Sequence, residues 1–240
     1  MRQASELSLS DAIEQAPLAS SRLQAMAEQA RALQAAPDTP HIYRDWVSEA
    51  GTYCYHTHIA VSGQSLERFE WAVDLFFNAA SLDSQPWYGQ FLGGVTEPCG
   101  LPTAETIEAH QLCLGRFDLG LGAPRAYRQL VSLHRPEAHT GVIVARSIAE
   151  GPSLPDNTRL AYTVDPNGEV LHWDGEYLHW HHICCTPGAS LLPQPLDRLL
   201  INLLRVCRLD SAERRTYRQE AEGFRDWLKA TSIEQWPELI

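Results

Sequence analysis

No apolar run in this chain reaches the ~18 residues that a membrane-spanning helix needs. The opening "MRQASELSLSDAIEQ" also lacks the apolar core of a secretory leader, so a cytoplasmic location is expected. There is no C-x-x-C pair and no framework spacing among the six cysteines, which are therefore expected as free, partly buried thiols. A glycine-rich phosphate loop and a strand–helix alternation are both missing, which disfavours nucleotide-binding doubly wound folds. Positive charge is scarce: the formal net charge is -11. The dense basic stretch from Arg205 to Arg218 is interleaved with Asp210 and Glu213 and followed by Glu220, the pattern of a solvated helix face. Nucleic acid and anionic membrane surfaces are disfavoured as partners.

What is present suits a soluble globular core: 240 residues, 44% apolar and 20% charged. That length fits one large domain, or one domain with an appendage. The first forty residues read as helix, one piece capped by Ser8 with Asp11 and a second by Ser21 with Gln24, stopped by Pro37 and Pro40. From Gly51 the period changes to two: Cys54, His56, His58 and Ala60 fall on one face of "TYCYHTHIAVS", and Tyr55, Thr57, Ile59 and Val61 on the other. Ser65 caps a helix that buries Leu66, Phe69, Val73, Phe76 and Phe77. Six short strands follow, from "QLCLGRFDLG" to "EYLHWHHICC", separated by turn material such as "DPNG" and "DG". The end is helical from Leu196 to Leu228, with "DSAE" marking a break or new start near Leu209.

This order implies a curved antiparallel sheet whose apolar face is covered by the last helix. It resembles the helix-grip fold of the START (steroidogenic-acute-regulatory-protein-related lipid transfer) domains, within the wider polyketide-cyclase-like superfamily (SRPBCC). "APRAYRQLVSL" is similar to the family's strand opening with Pro-Arg and an aromatic, and "TGVIVARSI" to its glycine-led strand. "NTRLAYT" stands where the family has a Val-Arg-Ala strand, and "TPGASLLPQPLDRLLIN" resembles its turn into the final helix. The resemblance covers about Tyr53 to Leu228 and departs at Thr186, where an acidic residue is usual, and in "HWHH". It implies a family of lipid carriers, cyclases, hydrolases and modules with no known ligand, so fold alone does not select a function.

"HWHHICC" is the chemically dense segment. On a strand, His179, His181, Ile183 and Cys185 share one face, and Trp180, His182 and Cys184 the other. Three readings stand. His179 and His181 are two metal ligands, the third coming from His172, His134, His139, His56 or His58 on another element. Alternatively the segment is a plain cavity wall, since His and Trp present an apolar body and a polar tip. In the third reading one of His179, His181 and His182 is an acid or base, with Asp174 or Glu176 as a carboxylate partner.

The expectation is an α+β helix-grip domain over residues 46–240, its curved antiparallel β-sheet wrapped around a long C-terminal helix, with an N-terminal helical appendage over residues 1–45. A cavity between sheet and helix is expected to bind a hydrophobic small molecule or lipid. Its lining is assigned to Trp180, Tyr162, Tyr177 and the cations Arg146 and Arg159, with Phe76, Trp87 and Leu203 at the apolar margin. This reading needs no cofactor and assigns no metal ligand. The alternative is an enzyme of the same fold, a cyclase, condensation catalyst or hydrolase using His179, His181 or His182, with zinc or iron as its cofactor.

Overall fold

A computed structural model describes residues 7–32, 36–47, 52–78, 85–88, 95–98, 107–117, 125–151, 153–154, 156–161, 164–185, 203 and 210–232. The elements run α1 (Leu9–Arg31), β1 (His41–Val47), β2 (Thr52–Ser62), α2 (Leu66–Phe77), β3 (Val95–Pro98), β4 (Ile107–Phe117), β5 (Arg125–Glu137), β6 (Thr140–Ser147), β7 (Arg159–Ala161), β8 (Val164–Trp173), β9 (Tyr177–Cys185) and α3 (Asp210–Ala230). All strands join one sheet in the order β1-β2-β9-β8-β6-β5-β4-β3. Neighbours on that path are antiparallel, while β7 runs parallel to the start of β5, beyond the end of β6. This differs from the uniformly antiparallel set read from the sequence.

The N-terminal segment is one helix rather than two. Ser8 caps it, its Oγ accepting from the Asp11 amide at 3.1 Å. Ser21, expected as a second cap, lies inside the helix and donates to the Pro17 carbonyl. A proline inside a helix costs ~3 kcal/mol. Here a stripe of small residues (Ala12, Ala16, Ala19, Ala27 and Ala30, with Leu23) is buried against the sheet. That tertiary contact carries the helix through Pro17. Gly168 on β8 permits the approach, because a Cβ there would lie 2.0 Å from the Ile143 carbonyl oxygen and 2.9 Å from Leu23 Cδ1.

The sheet thus has two covered faces. On the outer face, α1 packs over Cys54, Val142, Val144, Val170, Ile183 and Cys185. On the inner face, α2 and α3 cover Ile59, Val61, Val131, Ile143, Leu171, Leu178 and Trp180. Ser65 caps α2 as expected, and Phe69, Val73 and Phe76 are buried, but Leu66 is exposed. The α3 stripe Tyr217, Ala221, Phe224 and Leu228 is buried at helical spacing, as the sequence indicates. Each such large side chain contributes roughly 1.5–3 kcal/mol on burial. Arg68 of α2 ties down the end of α3 by donating to the Leu228 and Thr231 carbonyls, where a cation also meets the negative helix terminus. Lys229 pairs with Asp38 at 2.7 Å, fixing α3 beside β1. Among the described residues no helix is long and apolar enough to cross a membrane.

Candidate functional site

β9 lies between β2 and β8, so the side chains of "HWHHICC" meet both neighbours. The pleat divides them. Trp180 belongs to the inner core, while Ile183 and Cys185 belong to the outer one. The three candidate acid–base histidines separate as the alternation indicates: His182 faces inward, and His179 and His181 face outward.

Inward, the wall is aromatic. Trp180 is fully buried, with Phe76 stacked on it at 5.1 Å and Phe224 of α3 at 5.1 Å. Trp87 completes the group, 5.7 Å from Phe224. Trp180, Phe76 and Trp87, chosen from sequence, do come together. Gly223 makes room, since a Cβ there would fall 2.2 Å from Trp87 Cβ.

One polar row interrupts this wall. Glu169, His182 and Thr57 are direct register partners across β8, β9 and β2. His182 Nδ1 donates to Glu169 Oε1 at 2.5 Å, and Trp180 Nε1 donates to Glu169 Oε2 at 2.7 Å. Burial pushes the His182 pKa down, but the charge and hydrogen bond of Glu169, with Cys184, outweigh it and hold the imidazole well above its usual value. Both side chains are buried, and the raised His182 pKa favours an imidazolium facing the Glu169 carboxylate. The Thr57 hydroxyl is buried without a hydrogen-bond partner among the described residues, as is Trp87 Nε1. Tyr217 of α3 stands over the row, its ring 5.6 Å from that of His182.

Outward, beneath the C-terminal end of α1, lies a cluster of imidazoles. His56 Nε2 and His181 Nδ1 are 3.0 Å apart, and His58 Nε2 and His179 Nδ1 are 3.2 Å apart. The rings of His58 and His181 are parallel, with centroids 4.2 Å apart. His179 Nε2 also meets Asp174 Oδ2 at 3.0 Å. The other Asp174 oxygen accepts from the Glu176 and Tyr177 amides. Burial raises the Asp174 pKa, but those amides and His179 outweigh it and bring it to about 2. Burial, reinforced by neighbouring imidazoles, lowers His56 to about 4 and His58 to about 3, and holds His181 well below its usual value.

The remaining sequence candidates are dispersed. Arg146 lies on the outer face, donating to the Ala12 carbonyl and Gln15 Oε1, so it fastens α1 to the sheet instead of joining the inward wall. Tyr177 sits at the outer start of β9, beside His179. Leu203 is 58% exposed. Arg159 is in β7, but its side chain and all of Tyr162 lie outside the described residues. Cys54, Cys113, Cys184 and Cys185 are buried thiols outside any disulfide. Sequence reasoning missed Glu169. The available signal was its phase: it alternates with Leu171 and Trp173, so a carboxylate falls on the apolar face of a strand.

No protein-family model and no curated protein matches this chain. Solved structures do. Human StAR-related lipid transfer protein 5 superposes with a TM-score of 0.55 at 15% identity, covering 89% of this chain and 97% of that one. A STAR-related lipid transfer protein from Xanthomonas axonopodis gives 0.49 at 10% identity, over 78% and 96% of the two chains. The chain has the α+β helix-grip fold of the START domains, its antiparallel sheet covered by a C-terminal helix and its outer face by an N-terminal one.

Proposed function

We propose that the protein binds a hydrophobic small molecule or lipid between the inner face of the sheet and α3, with the polar end of the ligand at the Glu169–His182–Thr57 row. The carrying observation is this polar row beside an aromatic wall, with the Thr57 hydroxyl buried and without a hydrogen-bond partner among the described residues. A mostly apolar lining with a few convergent polar groups is the usual composition of a small-molecule site. Leaving a buried hydroxyl unpaired costs ~1–3 kcal/mol, which a ligand oxygen or amide would recover. The fold shared with a protein named for lipid transfer agrees with this reading.

Native mass spectrometry of the protein as purified, followed by solvent extraction, tests it. A retained apolar molecule released on unfolding is expected, and Thr57→Val is expected to weaken its retention. A protein that retains nothing and binds no fluorescent acyl-chain probe would refute the reading.

The Glu169–His182 pair also favours a second reading, acid catalysis on the bound molecule, because a carboxylate that orients a protonated imidazole is a common acid–base arrangement. Chemical change of the retained molecule that stops in His182→Gln, while binding persists, would select it.

A further inference from the structure

We propose that His58, His179 and His181 form a binding site for a divalent transition-metal ion of the zinc class on the outer face of the sheet, opposite the ligand wall.

Each of the three offers one ring nitrogen, and the three atoms lie within 4.8 Å of one another. His58 Nε2 and His179 Nδ1 are 3.2 Å apart. Two ligands at about 2.0–2.1 Å from a tetrahedral ion are separated by roughly 3.3 Å, so this pair already has the spacing of one edge of such a site. His181 is fully buried, and its Nε2 has no hydrogen-bond partner among the described residues. Its other nitrogen is committed to His56, which fixes the ring.

The surroundings match those of a metal-binding imidazole. His179 turns its far nitrogen to Asp174, and the two backbone amides hold Asp174 in place. A carboxylate behind a ligating histidine orients the ring and raises its basicity. The ligands come from paired strands, β2 and β9, so the framework is rigid before any ion arrives. Arg31 at the end of α1 adds unfavourable positive charge, which the Asp174 carboxylate offsets. The His179 side chain is 13% exposed and marks the route of entry. Three imidazoles without a carboxylate in the first layer suit zinc, copper, iron or nickel, not magnesium or calcium.

The test uses the full chain, stripped with a chelator and titrated with Zn2+ by calorimetry and with Co2+ by its visible d–d absorption. One ion per chain is expected, with an absorption spectrum of low-symmetry tetrahedral or five-coordinate cobalt. Asp174→Asn is expected to weaken binding by about 10–100-fold, and His179→Ala by more than that. His139→Ala, an exposed hairpin histidine, leaves binding unchanged. His179 and Asp174 are partly exposed, so their variants are expected to fold; circular dichroism verifies this. Absence of stoichiometric binding, or affinity unchanged from the native chain in His58→Ala and His179→Ala, would overturn the proposal. Because the ligand wall is on the other face, retention of an apolar molecule reads out separately.

Discussion

Glu169 and His182 face each other across β8 and β9, oxygen to nitrogen at 2.5 Å, with side chains 7% and 6% exposed. Two opposite charges are buried together, Glu169 bonded to both His182 and Trp180. Removing one partner of such a pair typically costs about 3–5 kcal/mol, because the other is left buried and uncompensated. Glu169→Gln is therefore expected to lower unfolding stability by roughly 3 kcal/mol in urea at pH 7. The double variant Glu169→Leu with His182→Leu is expected to regain most of it. A double variant no better than the single would show that the charges are not what the substitution unbalances.

The buried histidines divide by sign, and this sets a pH profile. Burial lowers His134 to about 4, with neighbouring His110 adding to the effect, and neither ring nitrogen of His134 has a partner among the described residues. Between pH 6.5 and about 4 the unfolded chain takes up a proton there that the folded chain refuses. Stability therefore falls as pH drops through that window, by roughly 3 kcal/mol for this group alone. His182 acts oppositely: its contribution is complete below pH 6.5 and is lost as pH rises through its raised pKa. Chemical denaturation from pH 4 to pH 8 should show a steep acid limb that becomes shallower in His134→Leu.

The contact between α3 and Trp87 depends on a missing side chain. A methyl at Gly223 would meet Trp87 Cβ at 2.2 Å. Gly223→Ala is expected to cost about 1–3 kcal/mol by overpacking, against the smaller gain that alanine brings to a helix interior. Changed tryptophan emission, together with a lower melting temperature, would locate the damage at the aromatic wall. An unchanged spectrum and a raised melting temperature would contradict this packing.

On the outer face, Leu23 is the large apolar anchor of α1 and is fully buried. Leu23→Ala is expected to cost about 2–5 kcal/mol. Gly168→Ala attacks the same contact from the sheet side, since its Cβ would strike the Ile143 carbonyl. In both variants hydrogen exchange should accelerate in α1 before β9. Simultaneous loss would mean that α1 and the sheet unfold as one unit.

Much of the scaffold was legible locally. Ser8 and Ser65 cap the helices they were expected to cap, and the period-two pattern of Thr52–Ser62 and Tyr177–Cys185 grouped the residues of each face together, without telling which face is the inner one. Ser21 misled because a local capping signal competes with burial of the alanine stripe, and burial is the larger effect. Arg146 misled because a strand pattern does not reveal that a helix lies on the second face of the sheet.

By itself the sequence determined the element types, the strand phase and the identity of the chemically active segment, because caps, turns and alternation are properties of neighbouring residues. Tertiary structure alone decided which strands became neighbours. His58 pairs with His181, far away in the sequence, and Glu169 pairs with His182 across a hairpin. Register between strands is set by the whole packed sheet and its two covering layers. That long-range choice divided one run of histidines into a buried ion pair on one face and an imidazole cluster on the other.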